Sequence, residues 1–400
     1  MEDPMAPQAP HDLLIEPTHD EFALQSYVSA LRMFTLQEIG GGLRGVYESR
    51  VKPSFEQERG RAPTDEHEVR HAMMADPYCR TWSSMMRSAQ EMIWDSIIPS
   101  IERAQPDLNS RAASLAQKPK GSMTLDPDVE VPRYVSASDI HLMPGNYYSE
   151  RDAGDVSQGA LYDRGVYVYA GGHGGPYGDS IGRSLAQHLK IRFPDFQPER
   201  VLDIGCTVGH NILPFVDVYP DAEVHAIDVS VPVLRYAHGR AESFGKPMHL
   251  HQMNGENMSF EDESFDLVMS VVTFHETSRT AMKNILAECR RVLKPGGLMI
   301  HMELPRTADM DPFDAFYIDW DSYYNNEPFY QAFTSTDLKA AYVDAGFKEE
   351  NYMEVMTPDI YAVPEDTFEA AASGPENKAE RYGRLGESIH WTGWGAWKEG

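Results

Sequence analysis

The 400-residue chain predicts an α/β fold, a doubly wound parallel sheet preceded by a mainly helical N-terminal region. Three observations carry that reading. The segment VLDIGCTVGHNILPF, 201–215, passes from an apolar strand pattern through Asp203, Gly205 and Gly209 into a helix-forming stretch. HAIDVS, 225–230, is a second apolar run, ending in Asp228. Beyond residue 180, strand and helix patterns alternate, the order that builds a parallel sheet. Glycines after the first strand let the backbone approach a ligand closely, and a carboxylate ending the next strand can accept from two ribose hydroxyls.

The elements follow in order. Residues 1–20, acidic and proline-rich, read as a loose lead. Residues 21–47 carry apolar groups at helical spacing up to a stop at Gly40-Gly41-Gly42, and 48–66 read as a linker. A helical region follows at 67–116, divided by Pro99 and Pro106, with Met73, Met74, Trp82, Met85, Met86, Ile93, Trp94 and Ile97 as packing residues. The Gly/Pro/Tyr-rich stretch 118–180 suits ordered loops lying over a site. Next come a helix at 180–192, strand 200–204, helix 209–219, strand 223–227, helix 231–243, strands 248–252 and 265–270, helix 278–293 and strand 297–303. An aromatic insert at 306–333 precedes a helix at 335–345 and a strand at 348–356, and 388–397 supplies a last, antiparallel strand. This divides the chain into a helical and loop-rich cover, 1–179, and an α/β domain, 180–400.

Lys and Arg number 35 against 62 Asp and Glu, a formal charge of −27. That field repels phosphate backbones and anionic membranes, so neither nucleic acid nor membrane is an expected partner. Cys79, Cys206 and Cys289 are scattered and odd in number, which fits no disulfide framework. No stretch is long and apolar enough to span a bilayer, and a cytoplasmic protein is expected. The histidines and carboxylates show no ligand spacing, so no metal is expected.

Motif by motif, the second half resembles the class I S-adenosylmethionine-dependent methyltransferases, most of all their type 11 small-molecule branch. The family's acidic-x-Gly-x-Gly-x-Gly matches Asp203, Gly205 and Gly209, with Thr207 in place of the middle glycine. Asp228 matches the acidic end of the second strand, and Asn254, Gly255 and Glu256 match the third-strand motif. ESFDLV, 263–268, RRVLKPGGLMI, 290–300, and AGF, 345–347, match the later strands. The resemblance covers roughly 180–356. It implies a Rossmann-like methyltransferase domain that uses S-adenosylmethionine to methylate a small organic acceptor at O, N, S or C. Asp203 would lie near the methionine end of the cofactor, with Gly205, Thr207 and Gly209 around its carboxylate and ribose. Asp228 and Val229 would hold the ribose, Asn254 beside Gly255 would meet the adenine edge, and Glu256 or Asn257 would support that loop. An aromatic from the segment before the first helix, Tyr162, Tyr167 or Tyr169, would cover it. A dinucleotide enzyme needs G-x-G-x-x-G, and this chain offers G-C-T-V-G-H, 205–210.

Chemistry is expected where SVVTFHETS, 270–278, ends the fourth strand, at Thr273, Phe274, His275 and Glu276. His275 is the candidate general base, its unperturbed pKa lying near neutrality, or else it caps the next helix or packs on the adenosine. Glu276 orients it or meets a cationic group. His301 and Glu303 end the fifth strand on one face, with Glu303 the better placed to contact substrate. The insert's Phe313, Phe316, Tyr317, Trp320, Tyr323, Tyr324, Phe329 and Tyr330, mixed with Asp311, Asp314, Asp319 and Asp321, form either an acceptor pocket or a homodimer surface. His173 and Asp179 are polar groups of the cover, and His141, Tyr147 and Tyr148 a further pocket wall. The competing accounts are a non-catalytic S-adenosylmethionine-binding or scaffold protein and, behind it, a protein methyltransferase.

Overall fold

The computed structural model describes residues 5–374 and 390–400. Eight strands form one sheet: β1 Ser122–Thr124, β2 Arg200–Ile204, β3 Glu223–Asp228, β4 His249–Gln252, β5 Phe265–Val271, β6 Leu293–Glu303, β7 Tyr352–Pro358 and β8 His390–Trp397. Their order is β1-β4-β3-β2-β5-β6-β8-β7. Neighbours from β1 to β6 run parallel, while β8 is antiparallel to both β6 and β7. The order reverses direction between β2 and β5, and in such sheets the crevice beyond the strand ends there is the ligand site. β2 and β3 are buried after their first residue because helices cover both faces of the sheet.

β8 lies between β6 and β7 rather than at an edge. Its WTGWGAW sequence, 391–397, explains the fit. A Cβ on Gly393 would meet Met302 Sδ at 2.5 Å, and one on Gly395 the Met299 carbonyl at 2.7 Å. The expected last strand is thus present from His390, and residues 388–389 lie outside the described residues, as do 1–4 of the lead. β1, from a stretch read as loops, adds an unexpected parallel edge strand through Ser122 to His249.

The N-terminal half differs most from expectation. The lead is not loose: Met5, Leu13 and Ile15 are buried. Helical backbone continues past Gly40–Gly42 through the supposed linker, in segments from His19–Phe34 to Lys52–Arg59, and stops at Gly60 with φ 72°. Gly40 and Gly42 are close-packing positions, since a Cβ on Gly40 would sit 3.1 Å from the Trp82 indole nitrogen and one on Gly42 would strike the Tyr78 hydroxyl. Pro99 and Pro106 do not divide the next region, which is one 39-residue helix, Pro77–Leu115. Its buried Ile93, Trp94, Ile97, Ile101 and Leu108 hold it through both prolines, tertiary packing outweighing the lost backbone bonds. The stretch over the site contains the helix Ser157–Tyr169, ten of whose residues are buried, so it is not a set of loops.

One apolar cluster joins Met5, Ile93, Trp94 and Leu161 to Val208, Val233 and Tyr236, so the helical half and the α/β half share a core. The insert forms the short helices Pro312–Ile318, Trp320–Tyr324 and Tyr330–Thr334. Its Phe313, Phe316, Tyr317 and Trp320 pack against Tyr47, Trp82 and Met86. Trp82 and Met86 therefore serve packing, as expected of them. No helix among the described residues is long and apolar enough to cross a membrane.

Candidate functional site

A cavity of about 400 Å³ opens beyond the carboxyl ends of β2, β3 and β5. At one end it is lined by Asp203, Gly205, Thr207, Asp228, Val229, Asn254 and Gly255. The strand register places Asp203 beside Ala226 and Asp228 beside Gln252, so both carboxylates emerge at the same sheet edge. Asp228 accepts from Thr207 N at 3.0 Å and Ser230 N at 2.9 Å, which fixes its carboxylate at the cavity wall. Burial pushes its pKa up to about 6 against the lowering pull of those N–H groups. Burial, and then the charge of Asp228, pushes Asp203 well above the usual carboxylate range. Asp203 Oδ1 is buried with no hydrogen-bond partner among the described residues. Such a carboxylate favours a cationic ligand group.

Gly205 takes φ 72°, and a Cβ there would meet the Thr273 methyl at 2.8 Å, so the glycine is required by conformation and by space. Thr207, standing at the motif's middle glycine, holds φ 46°, and Val272 at the end of β5 holds φ 49°. Two β-branched residues in the left-handed region flank the cavity, backbone strain kept where the ligand binds. Thr207→Gly should release about 1–2 kcal/mol of that strain while costing about 0.5–1 kcal/mol in chain entropy. The expected melting temperature is equal to or slightly above the parent's, and a drop of several degrees in a thermal melt would contradict the strain. Gly209 is structural: it lies outside the cavity lining, and a Cβ there would press on Met248. The helix expected from 209 begins only at Leu213 and has six residues, so it offers no N-terminus to the ligand. Glu256 also lies away from the main cavity and braces its loop, accepting from Asn284 at 2.8 Å, while its N–H fixes Asn254 Oδ1 at 2.9 Å.

The cover comes from the helix Ser157–Tyr169. Tyr162 and Tyr169 line the cavity, and Tyr167 is turned away against Arg164. Tyr162 stacks on His210 of the glycine loop, ring centres 6.0 Å apart, and Tyr169 lies beneath Arg32. Asp163, on the same helix, is a buried hub. It accepts from His210, His11, Gln8 and Tyr236 at 2.7–3.1 Å, with Arg240 at 3.9 Å. Burial raises its pKa, but the hydrogen bonds of His11 and His210 outweigh this and hold it well below the usual range. His173 is exposed, and Asp179 is occupied by Arg183 and Tyr361. Neither lines the cavity.

The other end of the cavity carries Thr273, His275, Glu276, His141, Tyr147 and Glu327. His275 Nδ1 lies 2.8 Å from Glu303 Oε2. Burial pulls the His275 pKa down, but the charges of Glu303, Glu327 and Glu276 outweigh it and hold it at about 9. His275 is therefore the imidazolium near neutrality, not the poised base that its ordinary pKa suggested. Glu303 does not face the cavity. It is fully buried behind His275 and also accepts from Phe274 N, so it is a positioning residue rather than a substrate contact. His301 is a packed strand residue, bonded to Ser270 and set against Phe274.

His141 Nε2 lies 2.9 Å from Glu276 Oε1, its Nδ1 2.9 Å from Glu327 Oε1, and the Tyr147 hydroxyl donates to Glu276 at 2.7 Å. Tyr148 instead bonds the Ser136 carbonyl outside the cavity. Of the insert, Glu327 reaches the cavity lining while the aromatic residues named from sequence do not. Asp311 and Asp314 pair with Arg44, Tyr330 packs on His275, and the side chain of Asp321 lies outside the described residues. Sequence reasoning missed Glu327, Tyr134, Trp94 and Trp391. Each reaches the cavity through contacts between segments distant in the chain, and no local spacing marks such a residue.

Residues 201–297 match the family described as a methyltransferase domain. Over 117 residues the chain is 32% identical to a malonyl-[acyl-carrier protein] O-methyltransferase of Methylococcus capsulatus, covering 29% of this chain and 41% of that protein. It is 24% identical over 169 residues to the tRNA N(3)-methylcytidine methyltransferase Mettl2 of Drosophila melanogaster, covering 38% of this chain and 50% of the relative. The matched stretch spans half or less of the length of these curated relatives. The solved Haemonchus contortus phosphoethanolamine N-methyltransferase 2 in complex with S-adenosyl-L-methionine is 17% identical, with a TM-score of 0.41, covering 60% of this chain and 57% of that one. The α/β domain carries the motifs of the class I S-adenosylmethionine-dependent methyltransferases in order, and its residues 201–297 match the methyltransferase-domain family.

Proposed function

We propose that the protein methylates a small organic molecule held between the His275–Glu276 wall and the cofactor end of the cavity. The observation that carries this reading is that one cavity is lined at one end by Asp203 and Asp228 and at the other by His275, Glu276 and Glu327. S-adenosylmethionine, the family's cofactor, supplies when bound an electrophilic methyl group on a sulfonium sulfur. The residues fit it. Asp228 presents a fixed carboxylate for the ribose hydroxyls, and Asp203 presents an Oδ1 without a hydrogen-bond partner among the described residues for the cationic methionine end. Asn254 stands at the wall for the adenine edge, and Tyr162 and Tyr169 close the site from above, excluding water.

At the acceptor end, His275 and Glu276 would touch the substrate, with Glu303 holding the imidazole. A hydrogen-bonded wall of this kind aligns an oxygen, sulfur or nitrogen donor, which is most of what methyl transfer asks of a protein. The charge of −27 and the concave, largely apolar cavity favour a small acceptor over nucleic acid or membrane lipid. The three cysteines, all free and buried, suit a reducing cytoplasm.

The test is release of S-adenosylhomocysteine from purified protein and S-adenosylmethionine across a panel of small hydroxyl, thiol and amine acceptors. At least one acceptor should raise release above the blank. His275→Ala should lower turnover about 100-fold through loss of acceptor alignment while leaving cofactor affinity unchanged. Stoichiometric cofactor binding with no acceptor-dependent release would favour the non-catalytic binder.

A further inference from the structure

We propose that His141, His275 and Glu276 form a binding site for a divalent transition-metal cation in the wall of this cavity. One ligand atom from each of the three lies within 4.8 Å of the others. The residues come from distant parts of the chain, so no sequence spacing announces the site. Each imidazole has its other side on a carboxylate: His275 Nδ1 on Glu303 Oε2 at 2.8 Å, and His141 Nδ1 on Glu327 Oε1 at 2.9 Å. A carboxylate behind each ring fixes the tautomer and turns Nε2 toward the cation, an arrangement that accompanies metal-bound histidine. Tyr147 orients the third ligand by donating to Glu276 at 2.7 Å.

The fold holds His141 there at a backbone cost. His141 and Leu142 take φ 53° and 59°, and the His141 carbonyl is pinned by Trp94 Nε1 at 2.8 Å and Gln90 Nε2 at 3.0 Å. All four elements, the long helix, the 141 turn, the 274–276 turn and the insert, converge on one spot. Three carboxylates, Glu276, Glu303 and Glu327, surround the two rings, and a dication meets that excess of negative charge. A bound cation would take the place of the hydrogen bond between His141 Nε2 and Glu276 Oε1, releasing its proton to solvent. Two imidazoles and a carboxylate suit zinc, iron(II), cobalt(II) or manganese and leave open positions. Those positions face the cavity. On the reading given under Proposed function, they would take an oxygen or sulfur of the acceptor, so the site specifies a hydroxyl- or thiol-bearing substrate.

The test uses the full chain, stripped with chelator and dialysed. Calorimetric titration with Zn²⁺ and the visible absorption of added Co²⁺ report the metal, and a parallel S-adenosylmethionine titration reports the fold and the cofactor end. The expected result is one tight equivalent of Zn²⁺. Affinity should fall by 100-fold or more in both His141→Ala and His275→Ala, and about 10- to 100-fold in Glu303→Gln. His251→Ala should leave it unchanged, since His251 lies on β4 beside His225 and His249 and outside this cavity lining. The Co²⁺ spectrum of the unmutated protein keeps the test decisive if a variant fails to fold: bands of a low-symmetry nitrogen–oxygen site are expected, and the spectrum of the free hydrated ion overturns the proposal. It is likewise overturned if folded protein takes up no Zn²⁺, or if the histidine variants bind it as the parent does. Loss of metal binding with cofactor binding intact removes this site alone and leaves the methyltransferase reading standing.

Discussion

Asp228→Ala should weaken S-adenosylmethionine binding about 100-fold, through loss of two charge-assisted hydrogen bonds worth about 1.5–3 kcal/mol each before partial replacement by water. Asp228 is held at the cavity wall by Thr207 N and Ser230 N, and the alanine variant removes the carboxylate without touching the sheet core. The same group gives affinity a pH dependence. Its pKa is raised to about 6, and ribose hydroxyls donate to the ionised form. Cofactor affinity should therefore be full above pH 6 and fall as pH drops through it. The folding contribution has the opposite sign. A carboxylate whose folded pKa lies above its ordinary 3.8 favours the folded state most at low pH, and that contribution is lost as pH rises through 6. A titration series of cofactor binding between pH 5 and 8 checks the first sign, with Asp228→Ala as the control from which this component is missing. An unchanged affinity in the variant would remove Asp228 from the site.

Asp163→Ala carries the largest expected stability effect, a loss of about 3–5 kcal/mol. The substitution leaves Arg240 buried beside no carboxylate and strips the partner from His11, His210, Gln8 and Tyr236 together. Because these come from the N-terminal lead, the glycine loop and the α/β core, the variant should also loosen residues 5–13 and the cover helix. Denaturant unfolding checks the magnitude, and amide exchange at residues 5–13 checks the location. The folded pKa of Asp163 is depressed, so its contribution is present above the ordinary carboxylate value and lost as pH falls toward the folded one. A midpoint within error of the parent's would show that the hub is not what joins the two halves.

The parts legible in the sequence are those fixed by local pattern. β2, β3 and β5 are short and largely apolar, and Asp203 and Asp228 come at or next to the carboxyl ends of β2 and β3 because strand and turn chemistry alone put them there. That end of the cavity lining was therefore readable, with Glu256 bracing its loop as expected, while Gly209 lies outside the lining. The opposite end of the cavity was readable only in pieces. His275 and Glu276 follow from their place after β5. His141 reaches them from 134 residues away in the chain, and Glu327 from the middle of a stretch whose aromatics drew attention and then packed elsewhere. The N-terminal half misled for a related reason. Gly40, Gly42, Pro99 and Pro106 carry local stop signals, and the packing of Trp82, Tyr78 and Ile97 overrides them. Ionisation was equally invisible: three carboxylates converging on His275 hold it near 9, where composition gives only the ordinary value.

Calorimetric titration of the purified, ligand-free protein with S-adenosylmethionine, beside NADH, tests the central claim most directly. The account predicts saturable binding of one S-adenosylmethionine per chain and none of NADH. A well-folded protein that binds no S-adenosylmethionine would contradict it and leave Asp203 and Asp228 without the ligand their geometry calls for.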